Sequence, residues 1–263
     1  MPEGDTIWRT ALHLDKALTG QVLVETDFRV PAHATLDLAG RTVESTVSRG
    51  KHLLTRIGPD HTLHTHLKME GSWHLYKPGS RWRRPAHEAR VVLRTDDRTA
   101  VGFALGVTEV VARDAEETVV GHLGPDLLGR DWDEDEALRR LLDQPTREVG
   151  EALLDQRNLA GIGNLYKCEM CFLAGVHPRT PVADVADLPR LVRRARSALE
   201  ANKLRVEQTF TGDTRKGQQH WVYGRARQPC RRCGTRIRED MQGPQLQERV
   251  SYWCPTCQPE PSG

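Results

Sequence analysis

Apolar residues at helical spacing open the chain and predict an amphipathic helix over residues 5–19. Asp5 or Thr6 can cap its first turn, and Gly20 follows its last residue. Because positions that recur every three or four residues share one face of a helix, this face should pack against a core. The apolar stripe consists of Ile7, Ala11, Leu14 and Leu18.

Short runs that alternate between apolar and polar residues replace this pattern from residue 21 to about residue 113. Turn-forming residues separate the runs, as at Gly58-Pro59-Asp60 and Lys77-Pro78-Gly79. Many short strands at such spacing indicate a β-sandwich or a barrel. The runs read QVLVET, RTVESTV, KHLLTRI, HTLHTHL, ARVVLRT and TAVGFAL.

The residue pattern changes again in the remainder of the chain. An acidic stretch containing Gly and Pro at 114–132 predicts a linker that follows an N-terminal domain at 1–113. Amphipathic helical patterns then predict a helical domain at 133–215. A cysteine-bearing module at 216–263 completes a chain of the α+β class.

Charge is distributed unevenly, although the formal net charge is only +2. Residues 114–136 hold nine acids and one base, whereas residues 203–238 hold ten bases and two acids. The basic region suits a phosphate backbone, and a solvated basic surface is its ordinary alternative. No apolar run approaches the ~18 residues of a membrane span, and no secretory signal is visible, so a cytoplasmic protein without membrane contact is expected.

Four of the six cysteines form two CxxC pairs separated by twenty residues. Two such pairs can supply the four thiolates of a tetrahedral, structural Zn²⁺ site, and two disulfides are the weaker interpretation because no secretory signal is present. A further pair, Cys168 and Cys171, has no second pair to complete a site and is interpreted as buried helix cysteines. The predicted ligands are Cys230, Cys233, Cys254 and Cys257.

Several motifs, taken in their order and spacing, resemble the formamidopyrimidine-DNA glycosylase/endonuclease VIII family, and are closer to its endonuclease VIII branch. The resemblance runs from Pro2 to Gln258, nearly the whole chain. It implies an N-terminal helix with a β-sandwich, then a helical domain with a helix–two-turn–helix and a zinc-bound β-hairpin. The motifs read MPEGDT, SRGKHLL, LLDQRNLAGIGNLYKCEMCFLAGVHP, YGRARQPCRRCG and RVSYWCPTCQ.

The resemblance implies base-excision repair by covalent catalysis at Pro2, whose amine is exposed once Met1 is removed, with Glu3 as proton donor. An α-amine has a pKa near ~8, so a useful fraction is neutral at pH 7. A lysine amine, with a pKa near ~10.4, would need its pKa lowered by about 3 units to reach the same state. The positive end of the following helix also favours the neutral amine. The ordinary alternative is that this Pro-Glu-Gly stretch merely starts a helix.

Four further residues match family positions that act on DNA. Lys51 matches a phosphate-contacting lysine that assists catalysis, and Asn164, in GIGN, matches a phosphate donor at the helix-joining turn. Arg249 matches the arginine near the tip of the zinc hairpin, and Met69 matches an apolar residue that fills the gap left by a flipped nucleotide. Solvated side chains, or a core methionine for Met69, are the alternatives. His64 and His66 are interpreted as packing residues.

The chain departs from the family pattern in one place. Guanine-type members carry an Arg-Arg-Phe-Gly motif that reads the opposite base, and the corresponding stretch DDRTAVGFALGVTEVV lacks it. Oxidised pyrimidines are therefore the expected substrates, released with β,δ-elimination, and ring-opened purines are secondary ones. In those members the motif also acts as a wedge in the base stack. Without such a wedge, the expected DNA partners include single-stranded and bubble DNA as well as duplex DNA.

Two rival functions use the same features differently. A non-catalytic protein that binds damaged DNA explains the basic region, the zinc hairpin and GIGN, but has no need of Pro2, Glu3 and Lys51 together. A zinc-ribbon module fused to an unrelated enzyme fails to explain motifs at both ends of the chain. The expectation is a monomeric, nucleoid-associated glycosylase and abasic-site lyase.

Overall fold

The computed structural model describes residues 2–261, which form two compact units divided between His122 and Leu123. The division of the chain into four parts stays a prediction. No helix in the described stretch has both the length and the apolar character needed to cross a bilayer.

The first unit opens with helix α1, Gly4–Leu18, which confirms the helix predicted from the apolar stripe. The predicted caps are wrong: Glu3 is the N-cap residue, and no side chain bonds the first turn as a cap. Asp5 lies inside the helix, where its Oδ1 accepts from the backbone N–H of Thr6 at 2.7 Å. Asp5 therefore belongs to the buried face of the helix and is 2% exposed.

Eight strands of the first unit form two antiparallel four-stranded sheets, as the β-sandwich prediction requires. One sheet has the order β1-β6-β7-β5 and the other the order β2-β3-β4-β8. A short helix, α2 (Glu117–Val120), ends the unit. The strands are β1 (Glu25–Phe28), β2 (Val43–Arg49), β3 (His52–Ile57), β4 (His61–His66), β5 (Ser72–Tyr76), β6 (Ala89–Arg94), β7 (Thr99–Phe103) and β8 (Val107–Ala112).

One apolar core joins α1 to both sheets. Its buried members include Leu14 from the helix, Leu53 from one sheet and Val91 from the other. The helix is also pinned to β2, because the backbone N–H of Thr46 donates to Asp15 Oδ1 at 2.8 Å. The stripe of α1 thus supplies part of the sandwich core.

The second unit contains four helices and a β-hairpin, in agreement with the helical pattern predicted after residue 133. Asp133 and Asp187 cap two of the helices by accepting from backbone N–H groups three residues ahead. The elements are α3 (Glu134–Leu142), α4 (Val149–Leu154), α5 (Asn164–Ala174), α6 (Leu188–Asn202) and the antiparallel strands β9 (Arg238–Gln242) and β10 (Arg249–Trp253).

Candidate functional site

Pro2 and Glu3 lie directly at the positive end of α1. The carbonyl of Glu3 accepts the N–H of Ile7 at 3.0 Å, so Glu3 is fixed as the residue that starts the helix. Its side chain is fully buried, at 0% exposure, whereas Pro2 is half-buried. The N-terminal dipole of a 15-residue helix therefore lies next to the two residues predicted to react.

Lys51 occupies the tight turn between β2 and β3. The last paired residues of this hairpin are Arg49 and His52, which leaves Gly50 and Lys51 as a two-residue connection. Gly50 has φ of 56°, a left-handed conformation that glycine adopts without a steric penalty. The turn presents Lys51 half-buried at the end of the sheet.

The contacts of α1 with β2 bring Lys51 to the same end of the unit as Pro2 and Glu3. At the opposite end, the N–H of Gly20 donates to the carbonyl of Val43 at 2.8 Å. From the contact of Asp15 with Thr46, the strand runs about 17 Å to residue 51 and the helix about 18 Å back to residue 3. Helix and strand are therefore antiparallel, and the three predicted catalytic residues share one end.

A chain of hydrogen-bonded histidines, which was not predicted, runs through the sheet beside Lys51. His52 Nδ1 lies 2.7 Å from His64 Nε2, and His64 Nδ1 lies 2.7 Å from Glu109 Oε1. Burial lowers the pKa of His52 to about 3 and that of His66 to about 4, so both rings are neutral at pH 7. These contacts fit the packing role predicted for His64 and His66.

Met69 lies at the tip of a tightly wound turn between β4 and β5. The N–H of Gly71 donates to the carbonyl of Leu67 at 2.9 Å, and Lys68 has φ of 51°. A Cβ at Gly71 would lie 2.4 Å from the Leu67 carbonyl oxygen, so only glycine fits this turn. Met69 is 64% exposed, and the core-methionine alternative is therefore wrong.

The connection between β7 and β8 is too short to hold a wedge motif. Only residues 104–106 separate the two strands, and Ala104 has φ of 46°. The N–H of Gly106 donates to the carbonyl of His66, which closes the turn onto β4. This connection cannot project the four-residue motif that the sequence also lacks.

Asn164 and Arg249 are adjacent in the second unit. Asn164 is the first residue of α5, and its Nδ2 donates to the carbonyl of Val250 at 2.8 Å. Arg249 is the exposed first residue of β10, directly before Val250, and pairs across the hairpin with Gln242. The structure therefore joins the helix-joining turn to the hairpin at the two residues predicted to contact DNA.

A buried polar cluster holds the same hairpin against the helices. Lys167 on α5 is fully buried, and its Nζ donates to Gln242 Oε1 at 3.2 Å and to Ser251 Oγ. Gln242 Nε2 in turn donates to Glu148 Oε2 at 2.7 Å. A Cβ at Gly150 of α4 would lie 2.6 Å from Gln242 Oε1, so a larger residue there would displace the Gln242 amide from its hydrogen bonds.

A second buried group fixes the segment that precedes the hairpin. Glu169, fully buried on α5, accepts the backbone N–H groups of Trp221, Val222 and Tyr223 at 2.8–2.9 Å. Burial raises the pKa of its carboxyl group, against the lowering effect of these donors. Neither Lys167 nor Glu169 was predicted, because both resemble solvated helix residues in the sequence.

Four cysteine thiols at the base of the hairpin form a site for one metal ion. All six cysteines of the chain are unpaired, which excludes the two-disulfide alternative, and Cys168 and Cys171 are buried on α5 as predicted. Three of the Sγ–Sγ distances are 3.4, 3.5 and 4.0 Å, and all four sulfurs lie within 4.8 Å of one another. A tetrahedral ion with ~2.3 Å bonds to sulfur needs about 3.8 Å between sulfurs, so these residues fit. The ligand set is Cys230, Cys233, Cys254 and Cys257.

Comparison with known proteins decides the family. Residues 1–104 match the formamidopyrimidine-DNA glycosylase N-terminal domain, and residues 123–209 match the formamidopyrimidine-DNA glycosylase H2TH domain. The chain belongs to the formamidopyrimidine-DNA glycosylase family. Within this family it is an endonuclease 8-like enzyme of base-excision repair, of the DNA glycosylase and abasic-site lyase class.

Individual relatives are similar along nearly their whole length. The chain is 55% identical to the probable endonuclease 8 2 of Streptomyces coelicolor, covering 100% of this chain and 95% of that protein. It is 49% identical to the DNA-(apurinic or apyrimidinic site) lyase Nei2 of Mycolicibacterium smegmatis, with 98% and 99% covered. Its fold resembles a Lactococcus lactis formamidopyrimidine-DNA glycosylase non-covalently bound to DNA containing an abasic site. That likeness has a TM-score of 0.82 at 22% identity and covers 98% of this chain and 100% of that one.

Proposed function

We propose that this enzyme removes oxidised pyrimidines from DNA and then cuts the abasic strand by β,δ-elimination through a Schiff base at Pro2. The proposal rests on the antiparallel course of α1 and β2, which follows from the bonds of Gly20 with Val43 and of Thr46 with Asp15. This course directs Pro2, the buried Glu3 and Lys51 toward one end of the first unit. A non-catalytic binder would gain nothing from this grouping. We place the activity on chromosomal DNA in the nucleoid.

The chemistry follows from a neutral secondary amine beside a carboxyl group. The Pro2 nitrogen forms a bond to C1′ as the bond from C1′ to the base breaks, and Glu3 supplies a proton that opens the sugar. The resulting iminium withdraws electrons, so that loss of a C2′ proton expels the 3′ phosphate. The 5′ phosphate leaves in a second elimination. The dipole of α1 favours the neutral, nucleophilic form of the amine.

The remaining predicted residues act on the DNA rather than on the sugar. Lys51 contacts a phosphate next to the lesion, and Asn164 and Arg249 contact phosphates from the joined turn and hairpin. Met69 enters the stack where the nucleotide has left, which its exposed position on a rigid turn supports. The protein acts as a monomer on duplex, single-stranded or bubble DNA.

The metal is assigned as one structural Zn²⁺. Four thiolates suit zinc, and they leave no open coordination position for substrate or water. The ion therefore stabilises the base of the hairpin that carries Arg249, and the chemistry stays with Pro2 and Glu3.

The preference for pyrimidines rests on the short β7–β8 connection. Since residues 104–106 cannot carry an opposite-base wedge, the protein lacks the means by which guanine-type members read the partner strand. The relatives named endonuclease 8 2 place the chain beside the endonuclease 8 branch rather than beside the guanine-type members.

Borohydride trapping tests the proposal. The processed protein, with its N-terminal Pro2 verified by mass spectrometry, is incubated with abasic DNA or with a 5-hydroxyuracil duplex and then reduced. We expect a covalent adduct with both substrates, loss of the adduct in Pro2→Gly, and a strong decrease in Lys51→Ala. Lys16→Ala, at the far end of α1, serves as the control and should trap normally.

Each outcome separates the candidate functions. An adduct with abasic DNA alone leaves a lyase and overturns the assignment of base specificity. No adduct with either DNA, despite tight binding and an intact N-terminal proline, establishes the non-catalytic binder instead. An 8-oxoguanine duplex processed faster than the 5-hydroxyuracil duplex contradicts the pyrimidine preference.

A further inference from the structure

The connection between β5 and β6 doubles back along its sheet. It leaves β5 at Tyr76, whose partner across the sheet is Thr99, and enters β6 at Ala89, whose partner is Phe103. Ser72 at the start of β5 also pairs with Phe103. The connection therefore ends at the same end of the sheet as the beginning of β5, with β7 between the two strands.

Side chains in the middle of this connection alternate between buried and exposed positions. Trp82 packs edge-on against Phe103 at 5.7 Å, and the guanidinium of Arg29 lies over its ring at 5.4 Å. The backbone N–H of Arg83 donates to Tyr76 Oη at 3.0 Å. Trp82 thus holds the segment against the sheet while Arg81 and Arg83 face solvent.

Arg84 attaches the segment to the turn that carries Met69. Its Nη1 donates to the carbonyl of Glu70 and to Ser72 Oγ, both at 2.9 Å. Its Nε donates to Glu88 Oε2 at 2.6 Å, so a carboxylate balances its charge and fixes its fork. The turn and the segment are therefore joined by one side chain, which leaves little freedom between them.

Arg81 and Arg83 differ from the arginines around them in having no acidic partner. Arg29 pairs with Asp27, and Arg84 pairs with Glu88. Within residues 2–261 the guanidinium groups of Arg81 and Arg83 make no ion pair and no side-chain hydrogen bond. Two residues of chain span at most about 7 Å, which places both charges within reach of neighbouring phosphates on one strand. Two exposed, uncompensated guanidinium groups on an anchored segment form a preorganised anion-binding surface.

We propose that residues 80–85 form an additional DNA contact beside Met69, with Arg81 and Arg83 binding successive backbone phosphates and Arg84 docking the segment. The inference rests on the proposed function, because it takes Met69 to enter the stack. The strand that leaves the opened stack passes the Met69 turn and meets this segment. The occupant is the phosphodiester backbone, since the contact offers charge without a groove that reads bases.

The salt dependence of DNA binding tests the contact. Binding of duplex DNA with an abasic-site analogue is measured by anisotropy at several salt concentrations for wild type and for Arg81→Gln/Arg83→Gln. Each lost phosphate contact reduces the slope of log K against log salt by about 0.9, so the double variant should lose about 1.8. The control, Lys77→Gln/Arg98→Gln, removes the same charge from connections at the Tyr76 end of the sheet and should leave the slope within about 0.3 of wild type.

Arg84→Lys tests the docking separately. Lysine keeps the charge, but its single ammonium group cannot donate to Glu70, Ser72 and Glu88 at once in the geometry of the guanidinium group. We expect its salt slope to fall toward that of the double variant, while Tm shows that it stays folded. Equal slopes for the double variant and its control overturn the proposal, and an unchanged slope in Arg84→Lys overturns the docking. Failure of the proposed function is distinguishable, since wild type then forms no borohydride adduct, whereas this contact can fail with the adduct intact.

Discussion

The side-chain amide of Asn164 donates a hydrogen bond to the carbonyl of Val250, with 2.8 Å between nitrogen and oxygen. This bond ties the start of α5 to the residue after Arg249, so the phosphate contacts proposed for Asn164 and Arg249 would depend on one local geometry. Asn164 Oδ1 is buried and has no hydrogen-bond partner in the described part of the chain. The one recognised hydrogen bond of the Asn164 amide therefore holds the hairpin against α5.

Replacing Asn164 with alanine should weaken DNA binding about tenfold by releasing the strand that carries Arg249, at a stability cost of about 1 kcal/mol. Fluorescence anisotropy and urea unfolding measure the two effects. The control is Asn202→Ala, which removes a buried amide that bonds Thr209. It should cost similar stability and leave affinity within twofold; equal losses of affinity would contradict the role of Asn164.

Lys167→Met should destabilise the second unit by about 1–3 kcal/mol, because Gln242 and Ser251 would each lose a buried donor. Urea unfolding monitored by tryptophan fluorescence measures the loss. Lys216→Met, an exposed site, should change stability by less than about 0.5 kcal/mol. A loss as small as that of Lys216→Met would show that the cluster does not support the hairpin.

Cys257→Ser should abolish binding of one zinc per chain and reduce DNA affinity at least tenfold, since the hairpin loses its closed base. Metal content is measured by mass spectrometry after dialysis. Cys171→Ala removes a buried thiol on α5 that lies outside the four-sulfur site and should keep the metal. Full zinc content in Cys257→Ser would refute the four-thiolate site.

Stability of the first unit should fall as the pH drops below about 6.5. Burial holds the pKa of His52 at about 3 and of His66 at about 4, and the nearby charge of Lys68 also lowers both. Between pH 4 and 6.5 the unfolded chain therefore binds protons that the folded chain does not, and each histidine costs up to about 1.4 kcal/mol per pH unit.

Urea unfolding at pH 5, 6 and 7 measures this dependence. The double variant His52→Gln/His66→Gln should be less stable at pH 7, yet lose less stability between pH 7 and 5 than wild type does. His87→Gln, at an exposed position, is the control and should keep the wild-type slope. An unchanged slope in the double variant would contradict the neutral buried state of the two rings.

The features that could be predicted from the sequence are those encoded locally. The apolar stripe of α1 and the spacing within each CxxC pair depend on residues that are close together in the sequence, so both can be predicted without knowing the tertiary contacts. Strands β5 and β8 were missed because their mostly half-buried residues show little alternation between buried and exposed positions.

The contacts that could not be predicted depend on what packs over a residue. Lys167 and Arg84 look like ordinary solvated cations in the sequence, and only the hairpin over one and the turn beside the other give them partners. Met69 was predicted from the family resemblance, but its exposure depends on the turn formed by residues 67–71. These contacts join residues that are distant in the sequence, and no periodic pattern of residues indicates them.

The missing side chain of Gly150 gives α4 an influence on the DNA-contacting hairpin. Gln242, which rests on this glycine, is the cross-strand partner of Arg249. A methyl group added to the helix would meet the end of the Gln242 side chain and displace its amide from Lys167 and Glu148. One amide thus links the packing of a short helix to the strand that we propose contacts DNA.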